Sequence, residues 1–243
     1  MKRQQTSSPP HFSSRLLMAC LLGCFLFGGS PLAQAQLSWR IGYNVGWTSS
    51  DGFDESIRRF NEARPWLDTQ LEEISYLDGF LFGFRIKYFE LLWSGKTRLY
   101  EVGGIPPGGS PRRWAVDVKQ NSVILNGAYP FWTKEEIGLS LEAGASIDYT
   151  YNLVRTRQTD EVEWTDAGSA RGLSSHAFVN VTWRVARPLS LSVSPYFQIP
   201  WFQTDLSDMP GILVPNTPAP AEGEFEERLY VNYGLMLSFY AHF

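Results

Sequence analysis

The 243 residues carry 21 Lys and Arg against 25 Asp and Glu, and a net charge of −4 leaves no electrostatic basis for binding nucleic acid. Aromatics reach 15%, with 9 Trp, 11 Tyr and 16 Phe, while mean hydropathy is only −0.19. That pairing is odd for a soluble globule and fits strands with one lipid-facing and one polar face.

The N-terminus reads as a secretory signal peptide over residues 1–35. Lys2, Arg3 and Arg15 precede an uncharged, mostly apolar run from Leu16 to Phe27, too short for the ~20 residues of a spanning helix. The small pair Ala33 and Ala35 marks cleavage before Gln36. Leu21-Leu22-Gly23-Cys24 offers a lipoprotein box instead, but Phe25-Leu26-Phe27 continues the apolar run where a polar tether is needed. Both cysteines, Cys20 and Cys24, fall in the discarded segment, so neither a disulfide nor a Cys metal site is expected. Loss of three of the 21 bases and none of the 25 acids leaves the mature chain at −7.

Beyond Gln36 the hydrophobic period is two. Leu37, Trp39, Ile41, Tyr43, Val45 and Trp47 alternate with Ser38, Arg40, Gly42, Asn44 and Gly46, which predicts a tilted strand with one lipid-like face. The second segment sets Phe80, Phe82, Phe84 and Ile86 against Leu81, Gly83, Arg85 and Lys87; the third sets Phe89, Leu91 and Trp93 against Glu90, Ser94, Lys96 and Arg98. The fourth opens with Trp114, Val116 and Val118 and then shifts phase to Val123, Leu125 and Tyr129, which predicts a β-bulge near Asn121 or Ser122. The fifth alternates without a break from Ile137 to Tyr151. A sixth runs through Leu173, Val179, Val181 and Trp183, and a seventh from Leu189 to Trp201 is interrupted by Pro195. The eighth ends on Phe243.

Eight strands joined alternately by short and long connections predict an all-β fold, an eight-stranded antiparallel transmembrane barrel over residues 36–243 with long extracellular loops. Loop one, residues 48–76, departs from the period of two. Phe53, Ile57 and Phe60 recur at helical spacing with Asp54 and Glu55 in the first turn, and Leu67, Leu71 and Ile74 repeat the spacing after Pro65. Two short helices are expected, docked outside the strand ladder and presenting these six residues as an interaction face.

The final Leu235-x-Leu237-x-Phe239-x-Ala241-x-Phe243 resembles the assembly signal of bacterial outer-membrane proteins. The family this implies is the small eight-stranded barrel of OmpA/OmpX type, with Leu235, Leu237, Phe239 and Phe243 read by the barrel-assembly machinery. It further implies the Gram-negative outer membrane, with its lipids and lipopolysaccharide as neighbours. Residues 61–67 (NEARPWL) are similar to small barrels of the Bacteroidota, a likeness that carries no function.

Arg40, Arg85, Lys87 and Arg184 are expected to face Glu90 and Glu142 inside the barrel as a static network, because so narrow a lumen is filled by its own side chains. His176 beside Ser174 suggests a lipid-modifying enzyme, yet Ser175 faces the opposite side and no enzyme motif is matched; a solvated lumen histidine is the better reading. Loop four, with Asp205, Asp208, Glu222, Glu224, Glu226 and Glu227, fits no calcium-loop spacing and reads as an acidic surface loop. The expectation is therefore a non-enzymatic barrel with a structural or surface-interaction role, no cofactor, no metal and an envelope protein as possible partner. A lipid-modifying enzyme, a subunit of a larger envelope complex and a narrow pore are the alternatives.

Overall fold

The computed structural model describes residues 37–48, 50–158, 163–214, 226–227 and 232–243. The signal segment, its cleavage site at Ala33 and Ala35, and residues 215–225 of acidic loop four, with Glu222 and Glu224, lie outside them. In chain order the elements are β1 (Leu37–Thr48), α1 (Asp51–Glu62), β2 (Tyr76–Ile86), β3 (Phe89–Gly104), β4 (Arg112–Lys134), β5 (Leu139–Arg157), β6 (Thr165–Ala186), β7 (Leu189–Pro200), α2 (Met209–Leu213) and β8 (Asn232–His242). A two-residue pairing of Thr204–Asp205 with Glu226–Glu227 stands apart from the barrel.

All eight long strands pair antiparallel with their sequence neighbours, and β1 closes the ring against β8 through eleven residue pairs from Ser38↔His242 to Thr48↔Asn232. Closure leaves no strand edge with unpaired backbone groups, which a lipid environment requires. The outer surface is apolar: Ile41 is 63% exposed and Phe80 67%, whereas Arg40 and Asn44 on the opposite face are each 1% exposed. Exposed rings pair across strands at both ends of this band, Trp47 stacking on Tyr233 at 5.8 Å and Tyr88 against Tyr129 at 5.7 Å. The chain is an eight-stranded antiparallel transmembrane barrel.

Ladder rows tilt. Followed from Asn44 through β2 to β5, successive partners reach Ala170 on β6, whereas the other route through Met236 and Ser194 arrives opposite Asn180, ten residues away. Such stagger accompanies strands inclined by about 40°. At one height the lumen is therefore lined by Asn44, Asp148, His176 and Tyr196, which touch one another, and not by residues paired in one row.

Two expectations are corrected. No bulge lies near Asn121 or Ser122; β3 and β4 stay in register from Phe89↔Gly127 to Gly104↔Arg112. Trp114, Val116 and Val118 consequently point inward, buried at 6%, 0% and 0%. The apparent slip of phase records a change in what the interior holds, polar below and apolar above. The irregularities fall instead at Pro130/Trp132, Val154/Arg155 and Arg184/Ala186. Likewise, the alternation ends early enough to leave Glu101 to Arg113 and Asn152 to Arg171 as long loops two and three, yet much of both continues as wall: β3 to β6 rise as long hairpins, with Ala115 still paired to Arg157. The barrel is thus tall on the β3–β6 side and low on the side of β1, β2, β7 and β8.

Loop one supplies a single helix. Ser50 caps α1 by accepting from the Phe53 amide at 3.2 Å, and Asp51 and Asp54 occupy its positive end. The second predicted helix is absent. The Leu71 amide and carbonyl are held by the side chain of Asn61, each at 2.9 Å, and the Ile74 amide donates to Asp54 at 2.9 Å. Backbone groups satisfied by these distant side chains gain nothing from a local helical turn.

Candidate functional site

The interior is built in three tiers. At the short-turn end, Arg40 donates to Glu90 at 2.8 Å and Arg85 clasps Glu142 through two bonds of 2.7 and 2.8 Å, while lying 3.7 Å from Glu90. Tyr240 and Asn126 complete Glu90 at 2.7 and 3.0 Å, Asn180 donates to Glu142 at 3.2 Å, and Ser238 accepts from Arg40 at 3.0 Å. Two guanidinium groups face two carboxylates, each with further polar partners, as burial of charge demands.

Lys87 and Arg184, expected in this network, do not join it. Lys87 occupies the two-residue turn between β2 and β3 with a positive φ of 56°, its ammonium 5.0 Å above the Tyr88 ring. Arg184 sits at the exposed rim, where its amide donates to the Gly138 carbonyl at 2.7 Å. Alternation assigned the correct face to both; the end of the strand then delivers them to water.

The middle tier centres on Asp148. It accepts from Ser146 at 2.6 Å, Ser174 at 3.1 Å and Gln198 Nε2 at 3.5 Å, and His176 Nδ1 lies 2.6 Å away. His176 is 5% exposed and Ser174 0%, so neither reaches the lipid-facing surface. Lys96 and Tyr196 complete this tier, the Tyr196 hydroxyl donating to Asn44 at 2.9 Å and accepting from Lys96 at 3.3 Å. Both carriers of charge, Lys96 and Asp148, stood at inward positions of the sequence pattern, but the tilt that brings them near one another could not be read from single strands.

The upper tier is an apolar cap. Phe53, Ile57 and Phe60 of α1, all 0% exposed, pack with Leu71 and Ile74, with Met209 and Leu213 of α2, and with Tyr100, Val102, Trp114, Val116 and Val118 on the raised wall. Arg64 fastens the two helices, stacking 4.2 Å over Phe60 and donating to the Leu213 carbonyl at 2.7 Å. Burial and the nearby Arg112 pull this guanidinium below its ordinary pKa. The face of Phe53, Ile57, Phe60, Leu71 and Ile74, with Leu67 partly buried beside it, is therefore taken up by the barrel's own interior and is not presented to a partner. An apolar lining on the wall was available to cover it, and burial there removes both surfaces from water. What loop one does present outward is a cavity of about 710 Å³ lined by Ile57, Pro65 and Leu71 together with Arg58, Glu62, Glu72 and Glu73.

No family model matches the sequence, and no curated protein matches it. Solved structures align along most of the chain at low identity. Neisserial surface protein A aligns with a TM-score of 0.46 at 11% identity, over 85% of this chain and 97% of that one. OprG from Pseudomonas aeruginosa gives 0.42 at 10%, over 86% and 96%, and Ail from Yersinia pestis 0.40 at 10%, over 86% and 97%. The likeness of residues 61–67 to Bacteroidota barrels finds no support among these neighbours.

The carboxy-terminal residues proposed for assembly lie on the outer face of β8. Leu237 and Phe239 are 48% and 51% exposed, Leu235 pairs with Val45, and Phe243, 75% exposed, donates its amide to the Leu37 carbonyl at 3.0 Å. Among the described residues no cluster of His, Cys, Asp and Glu could hold a metal ion.

Proposed function

We propose that this chain is a non-enzymatic, non-conducting barrel of the Gram-negative outer membrane, with a structural or surface-interaction role and with outer-membrane lipids and lipopolysaccharide around it. The observation that carries this reading is the apolar cap. A pore needs a continuous wetted path, whereas here sixteen buried apolar side chains close the outer mouth, and the lower tier is occupied by the pairs Arg40–Glu90 and Arg85–Glu142. A lipid-modifying role would need a nucleophile at the lipid surface, and Ser174 and His176 are turned toward Asp148 beneath the cap. With the apolar side of α1 occupied, a protein partner would meet its charged outer side and the tips of the raised hairpins.

Purified full-length barrel in planar bilayers is expected to give no stable single-channel currents, and to release no fatty acid from outer-membrane lipid. Stable currents would establish the narrow pore in its place; steady lipid release would establish the enzyme. Co-purification from mildly solubilised membranes then asks which envelope protein accompanies the barrel, if a surface-interaction role is right.

A further inference from the structure

The chain is acidic as a whole, yet the bases on the outer face of its raised wall gather in one sector. Arg113 and Lys119 of β4, Arg155 and Arg157 of β5 and Arg171 of β6 all stand at outward positions beyond the exposed rings of Tyr149 and Tyr151. The other strands place no Lys or Arg there among the described residues; Lys96 and Arg98 of β3 pair with Gln120 and Val118 on the inward face. Asp117 and Asp166 stand among these five bases, with Glu101 on neighbouring β3.

Register fixes where these bases sit. Tyr151 pairs with Asn121 on one side and Arg171 on the other, while Lys119 pairs with Leu153, the next outward position of β5. Ladder rows climb from β1 to β6, since the row leaving Asn44 reaches β6 at Ala170, above His176. Over the two steps from β4 to β6 this climb brings Lys119 level with Arg171, with Leu153 between them and two strand spacings, about 10–12 Å, separating their backbones. Arg155 follows one outward position above Leu153. Asp117 lies 3.0 Å from Lys119 Nζ and 2.6 Å from Arg155, so two cations share one carboxylate, which also accepts from Thr97 at 3.2 Å. Arg155 and Arg157 flank the Trp164 ring at 5.1 and 4.6 Å. Arg171 is exposed and makes no hydrogen bond or ion pair among the described residues.

We propose that this sector of β4, β5 and β6 docks a phosphorylated glycolipid of the outer leaflet, with its phosphates on Lys119, Arg155 and Arg171 and its acyl chains along the strip of Ile147, Tyr149 and Tyr151 beneath. The inference rests on the outer-membrane reading above. Guanidinium and ammonium groups donate charge-assisted hydrogen bonds to phosphate oxygens, and bases beside an apolar strip attract anionic head groups at the membrane surface. Ile147, Tyr149 and Tyr151 are 56%, 48% and 38% exposed on the same face, so the apolar strip runs directly into the basic one. A soluble anion would use only the bases, and an uncharged lipid only the strip. A phosphorylated lipid uses both.

The test is titration of the full chain in detergent with diphosphoryl lipid A, with the same lipid stripped of its phosphates, and with inorganic phosphate, the retained ligand being counted by native mass spectrometry. Diphosphoryl lipid A is expected to bind at least about tenfold tighter than either control. Exchanging Lys119 and Arg171 together for Gln should erase that preference, whereas Lys134→Gln, exposed at the opposite end of β4, should keep it. Should the double variant fail to fold, Arg171→Gln alone breaks no bond among the described residues and should still weaken the preference. Equal binding of stripped lipid, binding of inorganic phosphate as tight as that of the lipid, or an undiminished preference in the folded variants would each overturn the proposal. Cell fractionation tests the underlying reading separately: recovery outside the outer membrane overturns both, and absence of the lipid preference in a chain found in the outer membrane overturns this inference alone.

Discussion

Truncation of Phe60 tests whether the cap is a separate layer resting on the barrel. Its ring is fully buried, edge-on to Trp114 at 5.7 Å and covered by Arg64 at 4.2 Å. Phe60→Ala should cost ~3–5 kcal/mol, the range for emptying a packed aromatic site. The same Arg64 that stacks on the ring also bonds α2, so both helices should loosen together. At about 1.4 kcal/mol per factor of ten, cap opening should rise between about a hundredfold and a few thousandfold. None of this touches the strand ladders, because α1 makes no ladder pairing with the wall. Hydrogen exchange in detergent micelles is the assay, reading the α1 amides against those of β5 as an internal standard. Faster exchange confined to α1 and its neighbours is expected, with the barrel still resisting SDS until heated. Unchanged protection of α1 would show that the cap does not depend on this contact, and equal loss in β5 would show that cap and barrel unfold as one unit.

Three further outcomes follow from the lower tiers and the wall. Glu142→Ala leaves Arg85 without its bidentate partner and should destabilise the barrel by ~3–5 kcal/mol, read as a lower temperature for loss of the compact band on SDS gels; no change would mean that water solvates Arg85. Gly79→Ala would place a Cβ 1.9 Å from the Gly95 carbonyl oxygen, backbone that cannot turn aside, so folded yield should collapse, and normal yield would contradict the close approach of β2 and β3. Deletion of Phe243 should lower membrane yield in cells while leaving refolding from urea nearly intact, since its side chain is exposed and its amide makes one bond; loss in both settings would indicate a structural role in place of an assembly signal.

The membrane-facing side of this protein was legible because lipid imposes a single rule on every strand, and residues from Leu37 to Trp47 or Leu139 to Tyr151 obey it throughout. Above the membrane the rule reverses. Outward positions there meet water, as Leu99 and Glu101 do, or polar neighbours, as Asp117 meets Arg155, while inward ones meet the cap, so the apolar residues of the same strand change sides without any slip in the chain. Trp114, Val116 and Val118 were assigned outward by the membrane rule; carrying the phase of Val123 and Leu125 upward would have turned them in. α1 was readable from its spacing of three and four and its acidic first turn. The irregular path after it was not, because Asn61 and Asp54 fix Leu71 and Ile74 through contacts ten and twenty residues apart. The charge network was legible by face for Arg40, Arg85, Glu90 and Glu142, whereas Lys96 needed the tilt of the barrel before its place beside Tyr196 could be seen.

The uneven height of the wall bears on how freely the exposed end can diverge. The segment Leu99 to Val102 lies on the raised wall next to the 105–111 turn, the kind of position in which replacement is commonly tolerated. Yet within it Leu99 and Glu101 are exposed while Tyr100 and Val102 are 5% and 6% exposed against the cap. Neighbouring codons there carry opposite constraints, one open to charge and bulk, the next held to apolar side chains of near-constant volume. Insertions of a single residue would exchange the two sets and strand the helices above a polar floor, so length variation should be confined to the turn at 105–111, beyond the last paired residues, while the wall beneath it varies in a strict alternation.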